Sequence, residues 1–323
     1  MLELIRAGLH NSVQDQGREG FRHLGVAQAG ALDAAALWQA NRLVQNAGGA
    51  AGLEILTGPV VIRFHRDSWI ALTGAVFQAS IEGSHHSQPI ANGWRSPIRA
   101  GQVLRLQGPV SGRCAYLAVD GGIDVAPVMG SRATDFAAKL GGLDGRALRN
   151  GDWLSTGPAY TGGPRVGVLQ RCWTPEIRVL RGPEFEQFDA AAQEAFFRGA
   201  WQVSPQSNRM GFRLQGTPLQ RSVQRDLPSH AVFPGVVQVP PSGQPIVLMA
   251  DAQATGGYPR IATVIAADMW KLAQAQSGAR FCFVQTDRDG AALARKQWEQ
   301  ELYRMEWSLY GKGLGHRPEC RSG

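Results

Sequence analysis

A mostly β protein with a few helices is what this 323-residue sequence predicts. Strand-like apolar runs at Val60–Phe64, Trp69–Thr73, Val103–Leu106 and Ala115–Val119 are separated by turn residues at short intervals, as in sandwiches and barrels. Gly (40) and Pro (18) both exceed average usage, which suits many turns and short strands. Hydrophobic residues make up 44% of the chain, enough for a proper core, and the length allows two domains.

The chain opens with a short strand and then VQDQGREGFRHLGVAQAGALD. Gln14, Asp15 and Arg18 stand among so many glycines that an ordered loop of unusual backbone shape is expected. Asp33 is placed to cap a helix running to about Asn46, with Leu37, Ala40 and Val44 on its apolar face and Gly48 and Gly49 at its end. Farther on, Ser131 or Thr134 is positioned to cap a short helix, with Arg132 in the turn before it. A helix N-terminus attracts anions, so Arg132 is a candidate carboxylate ligand; a surface Arg132 paired with Asp135 is the equal alternative.

Residues 156–175 are rich in Gly and Pro with little periodicity and mark a boundary. We divide the chain into an N-terminal β domain (1–160), a second β domain (176–290) and a C-terminal helix and tail (291–323). In the second part Ile177–Leu180 and Trp201–Val203 read as strands. Pro183 is expected to open one helix presenting Phe185, Phe188, Ala192, Ala195 and Phe196 on a single face. A helix is expected near Ala266–Gln274, a strand over Phe281–Val284, and a strong helix over Ala291–Tyr310, on which Trp298, Leu302, Met305 and Leu309 share a face. The tail after Gly311 is expected to fray.

The stretch from Gln238 to Asp268, QVPPSGQPIVLMADAQATGGYPRIATVIAAD, is the centre of the functional reading. Two apolar runs, Ile246–Met249 and Ile261–Ile265, read as buried strands. Between them lie Asp251, Gln253, Thr255, Gly256, Gly257 and Tyr258: a carboxylate, an amide, a hydroxyl and a phenol beside a Gly-Gly pair that lets another group approach the backbone. Pure turns favour Asn, Asp, Gly and Pro, so Gln, Thr and Tyr here tilt the reading from a plain hairpin loop toward a site. In SNRMGFRL, Arg209 and Arg213 flank Gly211.

Composition excludes several classes. The net charge is +7, but the basic residues are scattered, all but four of the 33 are Arg, and no recognisable module supports nucleic-acid binding. Cys114, Cys172, Cys282 and Cys320 form no C-x-x-C pair, and the seven histidines show no metal-ligand spacing, so no metal is expected. His85 and His86 are adjacent and read as a surface loop. There is no signal peptide and no apolar run of about 18 residues. A cytoplasmic protein off the membrane, with reduced thiols, is expected. There is no P-loop, no G-x-S-x-G, no H-E-x-x-H, no Rossmann fingerprint and no biotin attachment site.

Together VQDQGREGFRHLGVAQAGALD, NRLVQNAGGAAGLE, MGSRATD, GGLDGRALRNGD, SNRMGFRL and VQVPPSGQPIVLMADAQATGGYP, in this order from near residue 3 to about 285, resemble the biotin-dependent carboxyltransferase family. The same family is known as allophanate hydrolase subunit 2, urea amidolyase-related, KipA-like or the C-type 5-oxoprolinase subunit. The sequence departs from its usual motifs at Ala254, Asn208 and Ala133, where Thr, Asp and Ser are common; each swap removes a hydroxyl or a charge.

The resemblance implies two cyclophilin-like β-barrel domains and a KipI-like partner protein, joined in oxoprolinases by a LamB/YcsF-like protein. It implies a small amide substrate, ATP consumed by the complex, and biotin on a separate carrier. Under it, Arg209 is expected to fix a carboxylate, Asp251 to orient groups or assist proton transfer, and Tyr258, Thr255, Gln253 and Gln238 to bind the substrate. Gly256 and Gly257 are expected to offer amides to an oxyanion, with Gln14, Asp15, Arg18 and Arg132 on the opposing side. The function it implies is one component of an ATP-dependent amide-processing enzyme, either 5-oxoprolinase or a urea-carboxylase-type carboxyltransferase. The alternative is a KipA-like regulator that binds a KipI-like kinase inhibitor. Prolyl isomerisation rests on fold likeness alone and is set aside.

Overall fold

A computed structural model of the chain describes residues 1–84, 86–159, 164–223 and 227–311. His85, Cys320 and the tail after Gly311 lie outside them.

Two β structures are set against each other. In the first half a nine-stranded sheet curls into a half-barrel. Its path runs through Ser12–Gln14, Gly52–Ile55, Val103–Val119, Val60–Phe64, Leu2–Arg6 and Trp153–Leu154. The long strand Ser68–Glu82 pairs antiparallel with Val103–Val119 and carries the short edge strands Ser87–Pro89 and Arg95–Ile98. The two runs Val103–Leu106 and Ala115–Val119 are thus one strand. Alternation along Ser68–Glu82 buries Ile70, Leu72, Phe77, Ala79 and Ile81 in a core shared with Leu2, Leu4, Ile62, Phe64, Leu104 and Leu117.

The second half is a closed seven-stranded barrel formed by Glu176–Arg181, Arg260–Val264, Val236–Gln238, Ile246–Leu248, Gly211–Gln215, Trp201–Val203 and Arg280–Gln285. Its ladders are antiparallel except where Glu176–Arg181 meets Arg280–Gln285 in parallel and closes the ring. Closure removes every edge that would otherwise need protection. Phe196, Trp201, Phe212, Phe281 and Phe283 fill it, with Phe196 stacked on Phe283 at 4.6 Å between ring centroids.

Helix α1 (Ala34–Leu43) lies on the first sheet, capped by the Asp33 carboxylate, which accepts from the Ala36 amide. It ends sooner than its glycines suggest, because Gln45 turns left-handed (φ 64°). The helix expected after Pro183 is two pieces, a 3₁₀ turn at Phe185–Gln187 and α2 (Ala190–Arg198); Asp189 stands extended between them and caps α2. No helix forms at Ser131–Thr134. Both hydroxyls are committed elsewhere: Ser131 Oγ donates to Asp15 (2.7 Å) and Thr134 Oγ1 to the Val13 carbonyl (2.9 Å). Arg132 therefore sits at no helix N-terminus; it faces Asp124 (3.6 Å), not Asp135.

Helix α3 (Met269–Gln274) follows a 3₁₀ turn, and α4 (Arg288–Tyr310) closes the chain. The expected apolar face of α4 is only half-buried. Near its start α4 buries Ala294 against Ile265 and Ala267; near its end Glu306 pairs with Arg42 (2.8 Å) and Tyr310 lies under the same guanidinium. It thus bridges the barrel to α1. One apolar cluster also crosses the halves, joining Leu37, Ala40 and Tyr116 to the barrel residues Phe212 and Val237 and to Leu272 of α3.

Asp268 pins the turn before α3 to the barrel. It is 1% exposed and accepts from the Arg178 guanidinium at 2.9 and 2.7 Å and from the Arg178 amide at 2.8 Å. Burial raises its pKa, but these bonds and Lys271 outweigh burial, so it lies below the ordinary value of about 3.9. A depressed carboxylate stabilises the fold fully above the unfolded-state pKa and loses that contribution as pH falls through the folded one. Asp268→Asn is expected to lower the melting temperature at neutral pH and to flatten its fall below about pH 4, measured by thermal unfolding across pH.

Candidate functional site

Arg209 is the hinge of the site. Asn208 Oδ1 accepts from the Met210 and Gly211 amides (2.9 and 3.3 Å), making a tight turn that aims Arg209 inward. The Asp251 amide donates to the Arg209 carbonyl (2.9 Å), which sets the two side chains abreast. Arg209 Nε and Nη2 then grip the two Asp251 carboxylate oxygens at 2.9 and 2.8 Å, Nη1 donates to Glu54, and Nη2 also reaches the Gly30 carbonyl at 2.5 Å. All three nitrogens are engaged, and Arg209 is 7% exposed and Asp251 4%.

The chain of contacts continues into the first half. Glu54 Oε2 accepts from the Tyr116 hydroxyl (2.6 Å) and the Leu32 amide (2.9 Å), while the Tyr116 oxygen accepts from the Asp33 amide (2.8 Å). Gln274 of α3 donates to Asp33 Oδ2 (2.9 Å) and to the Cys114 carbonyl (3.0 Å). One buried network thus runs Asp251–Arg209–Glu54–Tyr116–Asp33–Gln274 across the two halves. Burial alone would depress the Arg209 pKa, but the Glu54 and Asp251 charges outweigh it and hold the guanidinium firmly protonated. Burial pushes the Tyr116 phenol and the Cys114 thiol well up, keeping both neutral.

Gly30 makes the approach to Arg209 possible. Its φ is +86°, and a Cβ there would lie 2.7 Å from the Gly17 amide nitrogen. The loop that carries it is strapped down by residues the sequence singles out. Asp15 accepts from the Gly17 amide (2.8 Å), Ser131 Oγ and the Arg132 amide (2.5 Å). Gln14 donates to the Thr134 carbonyl (3.1 Å) and Arg18 to the Ala133 carbonyl (2.6 Å). Gln14 and Arg18 are buried, yet Gln14 Oε1 and Arg18 Nε and Nη1 have no hydrogen-bond partner among the described residues. These residues shape the wall beside Asp251, near enough for the Asp135 charge to bear on it.

The loop after Asp251 faces outward. Gln253, Thr255 and Tyr258 are exposed, Tyr258 at 46%. Thr255–Gly256 pairs antiparallel with His230–Ala231 in a two-stranded ribbon. Gln238 is buried beneath it and donates to the Tyr258 carbonyl (3.3 Å); a Cβ at Gly256 would lie 2.8 Å from its amide nitrogen. Arg22 clamps this loop from the first half, donating to the carbonyls of Val232 (2.6 Å), Gln253 (2.8 Å) and Ala252 (3.3 Å). The candidates therefore fall into three sets: a buried lock (Arg209, Asp251), a buried strap (Gln14, Asp15, Arg18, with the Arg132 amide) and an exposed edge (Gln253, Thr255, Tyr258) over Gln238.

Sequence reasoning did not pick out Glu54, Tyr116, Arg22 or Gln274. A single carboxylate in the apolar strand Gly52–Ile55 was the available signal for Glu54, since a buried charge needs a partner.

The family described as carboxyltransferase domain, subdomain A and B, matches residues 24–285. This chain belongs to that family. Among carboxyltransferase-domain relatives, the C-type 5-oxoprolinase subunit of Escherichia coli (strain K12) is 49% identical over 313 residues, covering 97% of this chain and all of the relative. The crystal structure of the Kluyveromyces lactis urea carboxylase superposes with a TM-score of 0.87 at 26% identity, covering 95% of this chain and 29% of that one. The crystal structure of TTHA0988 superposes at 0.77 with 35% identity, covering 88% of this chain and 55% of that one. The chain thus spans about half of one solved relative and under a third of the other. Among the described residues no helix is long and apolar enough to cross a membrane.

Removing the central cation leaves two buried carboxylates unpaired. Arg209→Met is expected to cost about 3–5 kcal/mol, read from urea unfolding. Adding Glu54→Gln and Asp251→Asn is expected to return much of that loss. A single variant as stable as the parent protein would show that the lock contributes nothing to folding.

Proposed function

We propose that this chain is the C-type component of a 5-oxoprolinase, a hydrolase opening a small cyclic amide to an amino acid with ATP consumed by the complex. The observation that carries this reading is the end-to-end likeness to a curated C-type 5-oxoprolinase subunit, 49% identical over the whole of that relative. The chain works with a KipI-like protein and a LamB/YcsF-like protein. It has no P-loop, so ATP is handled elsewhere in the complex.

In this reading the exposed edge meets the substrate or the group being transferred. Gln253, Thr255 and Tyr258 supply amide, hydroxyl and phenol hydrogen bonds, and the Gly256–Gly257 backbone lets a ligand approach closely. Asp251 and Arg209 act from beneath: their paired charges fix the floor of the loop, and Asp251 is the group placed to orient a proton donor. Gln238 holds the Tyr258 backbone, and Gln14, Asp15, Arg18 and Arg132 set the adjoining wall. Two Arg18 nitrogens without a partner among the described residues give it, rather than Arg209, capacity for an anion.

The likeness to urea carboxylase supports a second reading, carboxyl transfer to an amide. Biotin on a separate carrier supplies a carboxyl group in such chemistry. The solvent-facing Gln253, Thr255 and Tyr258 fit its ureido group, because a carrier can reach an exposed edge and those side chains offer both donors and acceptors.

The test is release of glutamate from 5-oxoproline with ATP by this chain mixed with its KipI-like and LamB/YcsF-like partners, each omitted in turn. Activity is expected to vanish without this chain. Tyr258→Phe and Thr255→Ala are expected to keep the fold and lower turnover roughly three- to tenfold, the effect of one hydrogen bond. Full activity of the complex with Asp251→Ala would remove Asp251 from the site. A folded complex that releases no glutamate, but acts on urea with a biotinylated carrier, would replace the first reading with the second.

A further inference from the structure

A cavity of about 190 Å³ opens between the halves, away from the Gln253–Tyr258 edge. Its volume equals that of roughly six waters at about 30 Å³ each. Its origin lies in the two long strands of the first sheet. The register between Ser68–Glu82 and Val103–Val119 breaks between Gly74 and Val76 and again before Gln78, and Gly74 and Gly112 both turn to positive φ (+75° and +73°). Such bulges bend a strand pair and commonly flank binding sites. Here the two glycines let the bent strands lie close to α1 and α3: a Cβ at Gly74 would stand 3.4 Å from the Ala36 Cβ, and one at Gly112 2.8 Å from Gln274 Oε1.

The chemistry of the lining is specific. Asp33 forms its floor, 4% exposed, fixed by the Ala36 amide (3.0 Å) and by Gln274 (2.9 Å). Those bonds use one lone pair on each oxygen, leaving acceptor capacity for an N–H. Gln170 also lines the cavity; its amide nitrogen, packed beside Gly93, has no hydrogen-bond partner among the described residues and reaches a ligand carbonyl when the side chain turns inward. Arg171 brings a guanidinium, held over the Trp270 ring at 5.4 Å and by Glu301 at 2.8 Å. Trp173, whose indole N–H is anchored on the Lys271 carbonyl (2.8 Å), adds a second flat apolar wall.

We propose that this inter-domain cavity binds a small cyclic amide bearing a carboxylate, the class to which 5-oxoproline belongs; in naming that class it rests on the function proposed above. The ring lies against the indoles, its carboxylate meets Arg171, its carbonyl takes the inward-turned Gln170 donor, and its N–H donates to Asp33. Asp33 is also the near end of the network that leads through Tyr116, Glu54 and Arg209 to Asp251. A ligand here touches the same buried chain that supports the exposed edge.

The experiment is titration of the intact chain, without partners, with 5-oxoproline, followed by tryptophan emission and calorimetry. Saturable binding is expected. 2-Pyrrolidinone, which lacks the carboxylate, and proline, which lacks the ring carbonyl, are expected to bind roughly tenfold or more weakly. Gln170→Leu and Arg171→Gln are expected to weaken binding by a similar factor. Trp270→Phe, with its fold checked by circular dichroism, is expected to remove most of the emission change. No saturable binding, or binding that these variants leave unaltered, overturns the cavity assignment. If the complex hydrolyses 5-oxoproline while the chain alone binds none, the cavity fails and the function stands. If the chain binds cyclic amide acids with the expected variant effects while the complex hydrolyses none, the function fails and the cavity stands.

Discussion

Everything in this molecule that resembles a site depends on one buried cation. Arg209 stands between Glu54 of the half-barrel and Asp251 of the closed barrel, and both carboxylates are nearly free of solvent. Desolvating two carboxylates and a guanidinium is expensive, and the geometry answers with charge-assisted bonds on every nitrogen of Arg209. Such a lock specifies how the two halves meet more than it adds to stability. A shift of the barrel by an ångström would leave a buried charge uncompensated, so the interface has one permitted arrangement.

The lock also explains the glycine-rich first loop. Gly30 must turn its carbonyl onto Arg209 Nη2 while its Cα lies against Gly17, and only a residue without Cβ fits. Asp15, Gln14 and Arg18 then hold the loop by gripping residues 131–134, more than a hundred residues away. The same loop returns Arg22 to the carbonyls at 232, 252 and 253. The backbone that carries the outward-facing Gln253 is thus held from both sides.

How much of this was legible follows from the range of each interaction. Local signals succeeded: the Asp33 cap, the strand Val60–Phe64, the strand Arg260–Val264 and the long C-terminal helix are set by neighbours a few residues apart. The glycine-rich stretch after Gln14 also marked a loop of unusual backbone shape, with Gly17, Gly20, Gly25 and Gly30 all at positive φ. Failures came where a long-range partner outbid a local one. Ser131 and Thr134 look like helix caps, but Asp15 and the Val13 carbonyl take their hydroxyls. Phe185 and Ala192 share a helical period, but Asp189 breaks the run and caps its own helix. Arg209 reads as a free cation, since Glu54 lies 155 residues away and nothing local announces it.

The departures from the usual family motifs take on a different meaning beside this buried network. Asn208 stands where an aspartate is common, and the swap removes a charge. Its amide oxygen closes the turn that aims Arg209, a task an aspartate oxygen performs equally well. Asn208 is exposed, so the charge of an aspartate there would lie in solvent rather than in the buried cluster. The asparagine therefore keeps the turn and leaves the cluster beneath it unaltered. Ala133 is fully buried and contributes its carbonyl to Arg18, so a hydroxyl there would have to find a partner in the interior. Both swaps act on the scaffold beneath the outward edge, where the side chains of Gln253, Thr255 and Tyr258 face solvent.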